Sequence, residues 1–522
     1  MAFFKSMATV SGLTLLSRIF GYLRDVVIAS TFGSSGVSDA FFIALRLPNV
    51  FRRLFAEGAM NSAFVPIFSN LLKSQGREKA LRFSCIVFST LATILFGLVA
   101  FVEVLMPFVM SLIAPGFKSD PEKFQQAVDF GHLIFPYIFF ISLAALCSSI
   151  LNALNRFFAA AASPIILNFC AILAVVAYVN DANKAGYALS FSIAVAGLIQ
   201  FIWVFMACRQ ANVKLRLTKV EFTPEVKRLL RKMLPGIAGA GVYQINLLVS
   251  DIIASFFPMA VSYISYADRV NQFPLSIIGI ALGTVLLPVF SRQVQKGQDS
   301  QAMYMQNRAL QFSFMLTFPA TMALYTISLP IIITLFQHNN FTHDMSLNVA
   351  KVMGIFALAL PANVMIKIFS ANFFSRGDTL TPVKAAITSL VTNVVLNLIL
   401  SRYFSYFGIA AGNVMASWVN GLLLAYWLRK EGNLVIDTRL KQTMPRLLVC
   451  SLGMGWILYQ GAEILLPYFG NILSKTVLSL FVLISSGLIS YFILIKITKS
   501  FTYSEFKEAM NKASEDSQAE KA

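Results

Sequence analysis

Arginines and a few carboxylates interrupt otherwise apolar segments of this chain, and their chemistry suits the binding of an anion. Arginine keeps its charge in proteins, and its fork of N–H donors fits phosphate and carboxylate groups. Five arginines facing lipid at the centre of a membrane would cost roughly 12–17 kcal/mol, comparable to the stability of a whole protein. We therefore predict a basic, water-filled cavity lined or supported by Arg18, Arg24, Asp25, Asp39, Arg46, Arg52, Arg53, Glu57, Asp268 and Arg269.

Helical spacing places several of these residues on common faces. Asp39, Arg46 and Arg53 follow one another at intervals of seven residues, which is two helical turns. Pairing of neighbours, such as Arg24 with Asp25, or snorkelling to the interface is the alternative role for any one residue. Because the set holds six arginines and four carboxylates, pairing alone leaves a positive surplus.

Composition identifies the elements that must position these side chains. Of 522 residues, 57% are hydrophobic and only 13% are charged, whereas a soluble domain carries about 25% charge. A water-soluble enzyme is therefore excluded, and the apolar residues suffice for on the order of a dozen spans. We predict an all-α polytopic membrane protein with about 14 transmembrane helices, near residues 8–30, 38–70, 83–113, 130–154, 161–180, 187–208, 232–257, 264–291, 309–336, 347–373, 381–403, 407–428, 445–467 and 473–497.

The positive charges predict an orientation. With the N-terminus inside, the cytoplasmic connections hold the Lys- and Arg-rich stretches 73–82, 209–232, 292–308 and 429–446. The opposite connections hold only Lys118, Lys123, Lys184, Arg402 and Lys475. The positive-inside rule then places both termini in the cytoplasm. It also accounts for most of the net charge of +18 without nucleic acid as a partner.

An internal repeat predicts two lobes. Residues 63–69 (AFVPIFS) recur as residues 285–291 (VLLPVFS), six spans later, so the copies share one orientation. Parallel repeats of this kind build transporters with two six-helix lobes, here followed by two C-terminal helices. The predicted divisions are 1–210 for the N-lobe, 211–232 for a cytoplasmic linker, 233–430 for the C-lobe, 431–500 for helices 13 and 14, and 501–522 for a cytoplasmic tail.

Other chemistry finds little support in the sequence. The five cysteines show no CxxC spacing, which favours packing roles over a disulfide framework or a metal site. His338, His343 and Asp344 lack further orienting ligands, and a loop role is the better interpretation. No GxxxxGK[ST] phosphate loop is present. We therefore predict no catalytic residue, no resident metal and no cofactor. A membrane enzyme acting on a lipid-linked sugar remains a rival hypothesis.

Five long motifs carry a resemblance to a known family, and together they extend over nearly the whole chain. The chain resembles the MurJ/MviN family of lipid II flippases, within the multidrug/oligosaccharidyl-lipid/polysaccharide exporter superfamily. The motifs are SRIFGYLRDVVIASTFG (17–33), SDAFFIALRLPNVFRRLFAEGAMNSAFVP (38–66), PGIAGAGVYQIN (235–246), SYADRVNQFPLSIIGIALGTVLLP (265–288) and SRGDTLTPVK (375–384).

The resemblance implies a fourteen-helix transporter of the bacterial inner membrane. Such a protein moves lipid II, the undecaprenyl-pyrophosphate-linked peptidoglycan precursor, from the cytoplasmic to the periplasmic leaflet, and cell-wall synthesis and cell shape depend on it. It also implies that Arg18, Arg24, Asp25, Arg52 and Arg269 bind substrate in the central cavity, and that helices 13 and 14 form a groove for the lipid tail. Expected partners are lipid II, membrane lipids and other cell-wall synthesis proteins.

The driving force stays open. The resemblance implies a sodium site on helices 7, 11 and 12 in some homologues, for which this chain offers Asp251, Asn393, Asn397 and Asn413. The asparagines could equally hydrogen-bond between helices. Coupling to sodium or protons and the membrane potential are the alternatives. The rival substrates are another lipid-linked oligosaccharide and amphiphilic drugs, although cationic drugs would favour an acidic cavity.

Overall fold

The computed structural model describes residues 2–53, 60–281, 290–291, 293–294, 297, 299–470 and 473–500, and these are almost entirely helical. The first ten helices are α1 (Ala2–Phe32), α2 (Gly36–Phe51), α3 (Met60–Val104), α4 (Met106–Ile113), α5 (Pro121–Ile134), α6 (Tyr137–Ala153), α7 (Phe158–Val176), α8 (Ala182–Gln210), α9 (Pro224–Ala254) and α10 (Ala260–Ala281). The others are α11 (Asp299–Thr326), α12 (Ser328–Phe336), α13 (His343–Ala357), α14 (Leu360–Ser375), α15 (Leu380–Phe404), α16 (Tyr406–Lys430), α17 (Thr438–Leu465) and α18 (Leu473–Ile497).

Contacts divide the chain into two compact units. The first comprises the chain up to Ser262 together with His338–Phe341, and the second comprises the remainder. The first unit therefore includes α9, which the repeat assigns to the C-lobe. Because contacts report packing and the repeat reports duplication, the two divisions need not coincide, and the lobe boundaries stay a prediction.

An aromatic cluster forms part of the core of the first unit. The ring of Phe64 stacks on Phe68 and Phe83, with centroids 5.6 and 5.4 Å apart. Phe64 and Phe83 lie on opposite sides of Gly76, whose φ of 83° bends α3 into two segments. Glycine adopts such a φ without the penalty that a Cβ brings. The bend folds the two segments of α3 against each other and separates the second and third predicted spans.

Close helix pairing dominates part of the second unit. A Cβ on Gly408 of α16 would lie 2.3 Å from the backbone oxygen of Leu400 in α15, and one on Gly412 would lie 2.1 Å from Oδ1 of Asn397. Only glycine permits this approach of two helices, as at other small-residue interfaces in membranes.

The apolar helices agree with a multi-pass membrane protein. Nine helical stretches within the described residues are long and apolar enough to cross a membrane, and α11 with α12 forms a tenth if the pair, bent by 74°, is one span. The nine do not include α1, α2, α9 or α10. Those four helices carry most of the predicted cavity charges. The fold class is confirmed, and the count of fourteen spans stays a prediction.

Candidate functional site

Arg24 is held by partners on two helices of the first unit. Its Nε and Nη2 donate to Oδ1 of Asp25 at 3.0 and 2.7 Å, and its Nη1 donates to Oδ1 of Asn168 in α7 at 3.0 Å. The Nδ2 of Asn168 donates in turn to the carbonyl of Ser17 at 3.0 Å. The side chains of Arg24 and Asp25 are each 15% exposed. The guanidinium therefore has a set orientation while some of its surface stays accessible.

Sequence reasoning anticipated the Arg24–Asp25 pair as one alternative but did not include Asn168. The available signal was an amide in the middle of the apolar stretch 158–176, where a polar side chain needs a partner. The side chain of Asn168 packs beside Gly21, where a Cβ would lie 3.4 Å from its Nδ2, an ordinary contact distance. α1 and α7 are thus joined through polar groups as well as by packing.

The other arginines of α1 and α2 differ in their surroundings. Arg18 is half-buried on α1, and Arg53 is exposed where α2 passes into a π-helical turn. The Nε of Arg52 lies 3.5 Å from Oδ1 of Asn49, a long contact on the same helix. Glu57, predicted to support this group, lies outside the described residues.

Arg46 forms a forked ion pair that joins α2 to α9. Its Nη2 donates to Oδ1 of Asp251 at 2.9 Å, and its Nε donates to Oδ2 of the same carboxylate. The side chain of Asp251 is only 4% exposed, and that of Arg46 is 24% exposed. Sequence reasoning proposed Asp251 as a cation ligand. In this structure both of its oxygens accept from Arg46, and the role of Asp251 in a cation site stays a prediction.

Asp39 forms the centre of a second group, here called the Asp39 clasp and consisting of Asp39, Lys123 and Ser262. The Nζ of Lys123 lies 2.6 Å from Oδ2 of Asp39. The backbone N–H and Oγ of Ser262 donate to Oδ1 at 2.8 and 2.6 Å. Asp39 is therefore held by a lysine and a serine. The side chain lies in the first turn of α2, fully buried, next to the first turns of α5 and α10.

Hydrogen bonds at two further places join segments of the first unit. The N–H and Nδ2 of Asn340 donate to the carbonyls of Ser30 and Thr31 at 3.1 and 2.7 Å. The N–H of Gly116 donates to Oγ of Ser255 at 3.0 Å, and a Cβ on Gly116 would lie 2.3 Å from the Ser255 carbonyl oxygen. The ends of α1 and α9 are therefore tied to the segments 338–341 and 115–119.

The second unit contributes its own charges. Arg269 on α10 is exposed, and Oδ1 of the adjacent Asp268 accepts from Nε2 of Gln272 at 3.2 Å. Sequence reasoning missed Lys367 of α14, whose Nζ lies 2.7 Å from the position of a Cβ on Gly279 in α10. The signal was a lysine among apolar residues of the predicted span 347–373.

Three asparagines of the candidate cation site do come together. In the second unit the Nδ2 of Asn397 donates to Oδ1 of Asn393 at 3.0 Å, and the Nδ2 of Asn393 donates to Asn413 on α16. Their amides form a chain of hydrogen bonds between α15 and α16. Asp251 belongs to the other unit. Among the residues that the structure describes, no cluster of three or more His, Cys, Asp or Glu side chains could hold a metal ion.

Comparisons with known proteins give one consistent result. Residues 28–479 match the family described as "Lipid II flippase MurJ". A relative from Rhizobium meliloti (strain 1021), "Probable lipid II flippase MurJ", is 42% identical over 94% of this chain and 93% of its own length. "Lipid II flippase MurJ" from Burkholderia cenocepacia is 34% identical over 83% of this chain and 85% of its own length.

Solved structures agree with the sequence comparisons. "Lipid II flippase MurJ, inward closed conformation" superimposes with a TM-score of 0.78 at 26% identity, covering 94% of this chain and 98% of that chain. An inward-facing multidrug resistance transporter of the MATE family gives a TM-score of 0.65 at 15% identity, over 81% of this chain and 97% of that chain. The second likeness concerns the fold alone.

Proposed function

Because the chain belongs to the lipid II flippase MurJ family, we propose that it carries lipid II from the cytoplasmic to the periplasmic leaflet by alternating access. The protein then acts in the bacterial inner membrane with both termini in the cytoplasm, and peptidoglycan synthesis and cell shape depend on it. Transport requires no covalent step, and we propose no enzymatic activity for the chain.

The Arg24 network is the observation that supports this proposal most directly. A guanidinium held by Asp25 and Asn168 within a membrane helix is oriented before any ligand arrives. Its planar fork matches the oxygens of a pyrophosphate. In the proposed mechanism Arg24 binds the head group with Arg18 and Arg52, and we propose Arg269 as a further substrate-binding residue on its position in the family motif. The lipid tail stays in the bilayer or in a groove formed by α17 and α18.

Several groups then have supporting roles. Asp25 orients Arg24, and the Asp39 clasp keeps one end of the first unit closed while the head group enters from the other. The ion pair of Arg46 with Asp251 holds α2 against α9 and exchanges partners as the transporter changes state. We propose Arg53, Glu57 and Asp268 as further gating residues on their positions in the family motifs.

The energy source is a separate part of the proposal. Arginine does not release its proton, so proton coupling would require a carboxylate. Outward movement of an anionic head group is favoured by a negative cytoplasm, and we propose the membrane potential as the driving force. A sodium or proton site that includes Asn393, Asn397 and Asn413 is the alternative, and it predicts that the gradient of that ion alone drives transport.

The charges of the site favour an anionic substrate over the cationic drugs of the drug-exporter hypothesis. Cationic drugs need carboxylates that face the ligand, but Asp25, Asp39 and Asp251 already accept hydrogen bonds from Arg24, Lys123 and Arg46. These three carboxylates are therefore already hydrogen-bonded to positively charged side chains, which disfavours a cationic ligand. Other anionic lipid-linked oligosaccharides would meet the same arginines, and a substrate test has to include them.

The decisive experiment depletes the protein in its native cells and measures how much lipid II is cleaved by an enzyme that acts only from the periplasmic side. Arg24→Ala and Arg269→Ala are tested for complementation at matched membrane levels, with Arg402→Ala at the end of α15 as the control. We expect accessibility to collapse on depletion and to return with the control alone. Normal accessibility after depletion, in cells without a second flippase, would refute the lipid II assignment.

A further inference from the structure

The connection between α8 and the apolar part of α9 concentrates positive charge on one surface. Residues 213–233, here called the basic strap, comprise an extended segment and the first turns of α9. The strap contains only two carboxylates, Glu221 and Glu225. All seven of its cations are exposed: Lys214, Arg216, Lys219, Lys227, Arg228, Arg231 and Lys232.

The basic strap is packed in one register. Val213, Leu215 and Val226 are 5% exposed or less and belong to the same core cluster as Phe64 and Phe83. Val213 and Leu215 turn inward and Lys214 and Arg216 turn outward, and residues 216–222 are all exposed. The strap is therefore a surface of the first unit that is fixed by packing. The positive-inside rule requires only an excess of positive charge and would not require such packing.

Polar contacts anchor the strap along α3. The Nη2 of Arg77 donates to the carbonyl of Ala211 at 2.8 Å, just before the strap begins. The N–H of Thr218 donates to Oγ of Ser89 at 2.8 Å. From Arg77 to Ser89 a helix rises about 18 Å. The extended segment therefore runs along α3 toward the apolar part of that helix.

From the length of α3 we infer that the strap lies at the boundary between lipid and water. From Ser89 to Val104, at the end of α3, the helix rises about 22 Å, whereas the hydrocarbon core is about 30 Å thick. If Val104 marks the far boundary, Ser89 lies about 7 Å inside the near one and Arg77 about 10 Å outside it. Amphipathic segments at membrane surfaces insert to about 5–10 Å.

Apolar side chains of the strap face outward at this depth. Leu217 is 76% exposed, Phe222 is 56% exposed and Val220 is 43% exposed, and they lie in the same exposed stretch as Arg216 and Lys219. Leu230 is exposed in the same manner on α9. In water this arrangement would be unfavourable, whereas at a bilayer surface the apolar groups meet acyl chains and the cations meet phosphates.

We propose that the basic strap is a binding surface for the headgroups of anionic phospholipids. The charge complementarity of seven exposed cations with phosphate specifies the occupant. Leu217, Val220 and Phe222 insert between the headgroups, and the flanking lysines and arginines bind the phosphates. Anionic lipid thereby holds the connection between α8 and α9 on the membrane surface. This role is independent of lipid II and of the arginines proposed to bind it.

A photocrosslinking experiment at Phe222 tests the proposal at the site itself. The full chain, with p-benzoylphenylalanine in place of Phe222, is reconstituted in vesicles of equal parts phosphatidylglycerol and phosphatidylcholine without lipid II. Mass spectrometry then compares the two lipid adducts. We expect phosphatidylglycerol adducts to exceed phosphatidylcholine adducts several-fold. The excess should shrink in high salt, because screening weakens exposed charge interactions.

Two matched variants complete the test. The photoreactive residue at Phe481 of α18, which is 67% exposed, should yield both adducts equally. The variant Lys227→Gln/Arg228→Gln/Arg231→Gln/Lys232→Gln should bring the Phe222 ratio close to one, whereas Lys118→Gln/Lys184→Gln/Arg402→Gln/Lys475→Gln should leave it unchanged. Three outcomes would each overturn the proposal. They are equal adducts at Phe222 in the unaltered background, an excess that the strap variant retains, and adducts to protein in place of lipid.

Discussion

The donors of Arg24 show how a charge can be both held and accessible. A guanidinium has five N–H groups, and the described contacts with Asp25 and Asn168 use three of them. The remaining donors suit an anion that approaches from the exposed part of the side chain. The neighbouring residues therefore fix the position and orientation of the guanidinium, and Arg24 itself supplies the positive charge.

Arg24→Lys tests whether the fork matters in addition to the charge. Lysine presents its donors from a single nitrogen and cannot reach Asp25, Asn168 and a ligand together. Loss of one charge-assisted hydrogen bond, worth about 1.5–3 kcal/mol, should lower the rate of lipid II export about tenfold or more at equal membrane levels. Full activity would contradict a bidentate contact with the pyrophosphate.

The pair of Arg46 with Asp251 can be tested by a double-mutant cycle. Arg46→Ala leaves a carboxylate that is 4% exposed without its forked partner, and breaking a buried pair costs about 3–5 kcal/mol. Removing both charges with Arg46→Ala/Asp251→Ala should destabilise the protein less than the sum of the two single changes. Thermal unfolding of the purified chain in detergent measures the difference. Additive losses would show that the two side chains act independently.

At the scale of elements, glycines decide how closely α15 and α16 pack. Gly408 faces backbone atoms of Leu400 and Ser401 that cannot move aside, whereas the nearest atom to a Cβ on Gly421 lies at 3.6 Å. The same helix thus contains one position that excludes a methyl group and another that accepts it.

Gly408→Ala should therefore destabilise the second unit by about 1–3 kcal/mol or more, as overpacking does. Gly421→Ala is the matched control on α16 and should change stability little. Unfolding temperatures of the two variants in the same detergent provide the comparison. Equal temperatures would mean that α16 shifts along α15 without loss.

The start of α15 shows how a family motif stabilises a helix end. Oδ1 of Asp378 accepts from the N–H groups of Leu380 and Thr381 at 2.9 and 3.0 Å. Partial burial acts to raise the pKa of Asp378, but these hydrogen bonds and one from the Thr381 side chain outweigh it, so that the pKa lies below its ordinary value of 3.8. Arg376 of the same motif donates to Asn372 and Asp299.

This shift predicts a pH dependence at the acidic end of the range. A carboxyl group with a lowered folded-state pKa contributes its full stabilisation above the ordinary value and loses it as the pH falls through the folded value. The stability difference between the unaltered chain and Asp378→Ala should therefore be constant near neutral pH and shrink below about pH 4. A difference that persists in acid would show that the carboxylate charge is not involved.

At the scale of the whole molecule, the charge distribution predicts which connections face the cytoplasm. In a cysteine-free background, Lys184→Cys next to Asp181 should react with a membrane-impermeant maleimide in intact cells. Lys430→Cys at the end of α16 should react only after the membrane is permeabilised. Both residues are exposed, so accessibility to the reagent depends on sidedness. The reverse pattern would place the termini in the periplasm.

Composition and periodicity determined the class of this protein. A chain with 57% hydrophobic residues and 13% charged residues can satisfy its backbone in lipid only as helices or a closed barrel, and the lengths of its apolar runs favour helices. The long motifs led to the family. The charged residues of α1, α2, α9 and α10 could also be recognised from the sequence. A charged side chain in lipid is costly, so each one needs a partner or a water-filled surrounding.

Tertiary structure alone decided which charged and polar side chains meet. Asp39 pairs with Lys123, Arg46 with Asp251, and Arg24 with Asn168, and the partners are separated by 84, 205 and 144 residues along the chain. Sequence reasoning could assign faces within a helix, because spacing of side chains follows from 3.6 residues per turn. It could not assign partners between helices, because the bend at Gly76 and the close approach at Gly408 depend on packing that no single helix encodes.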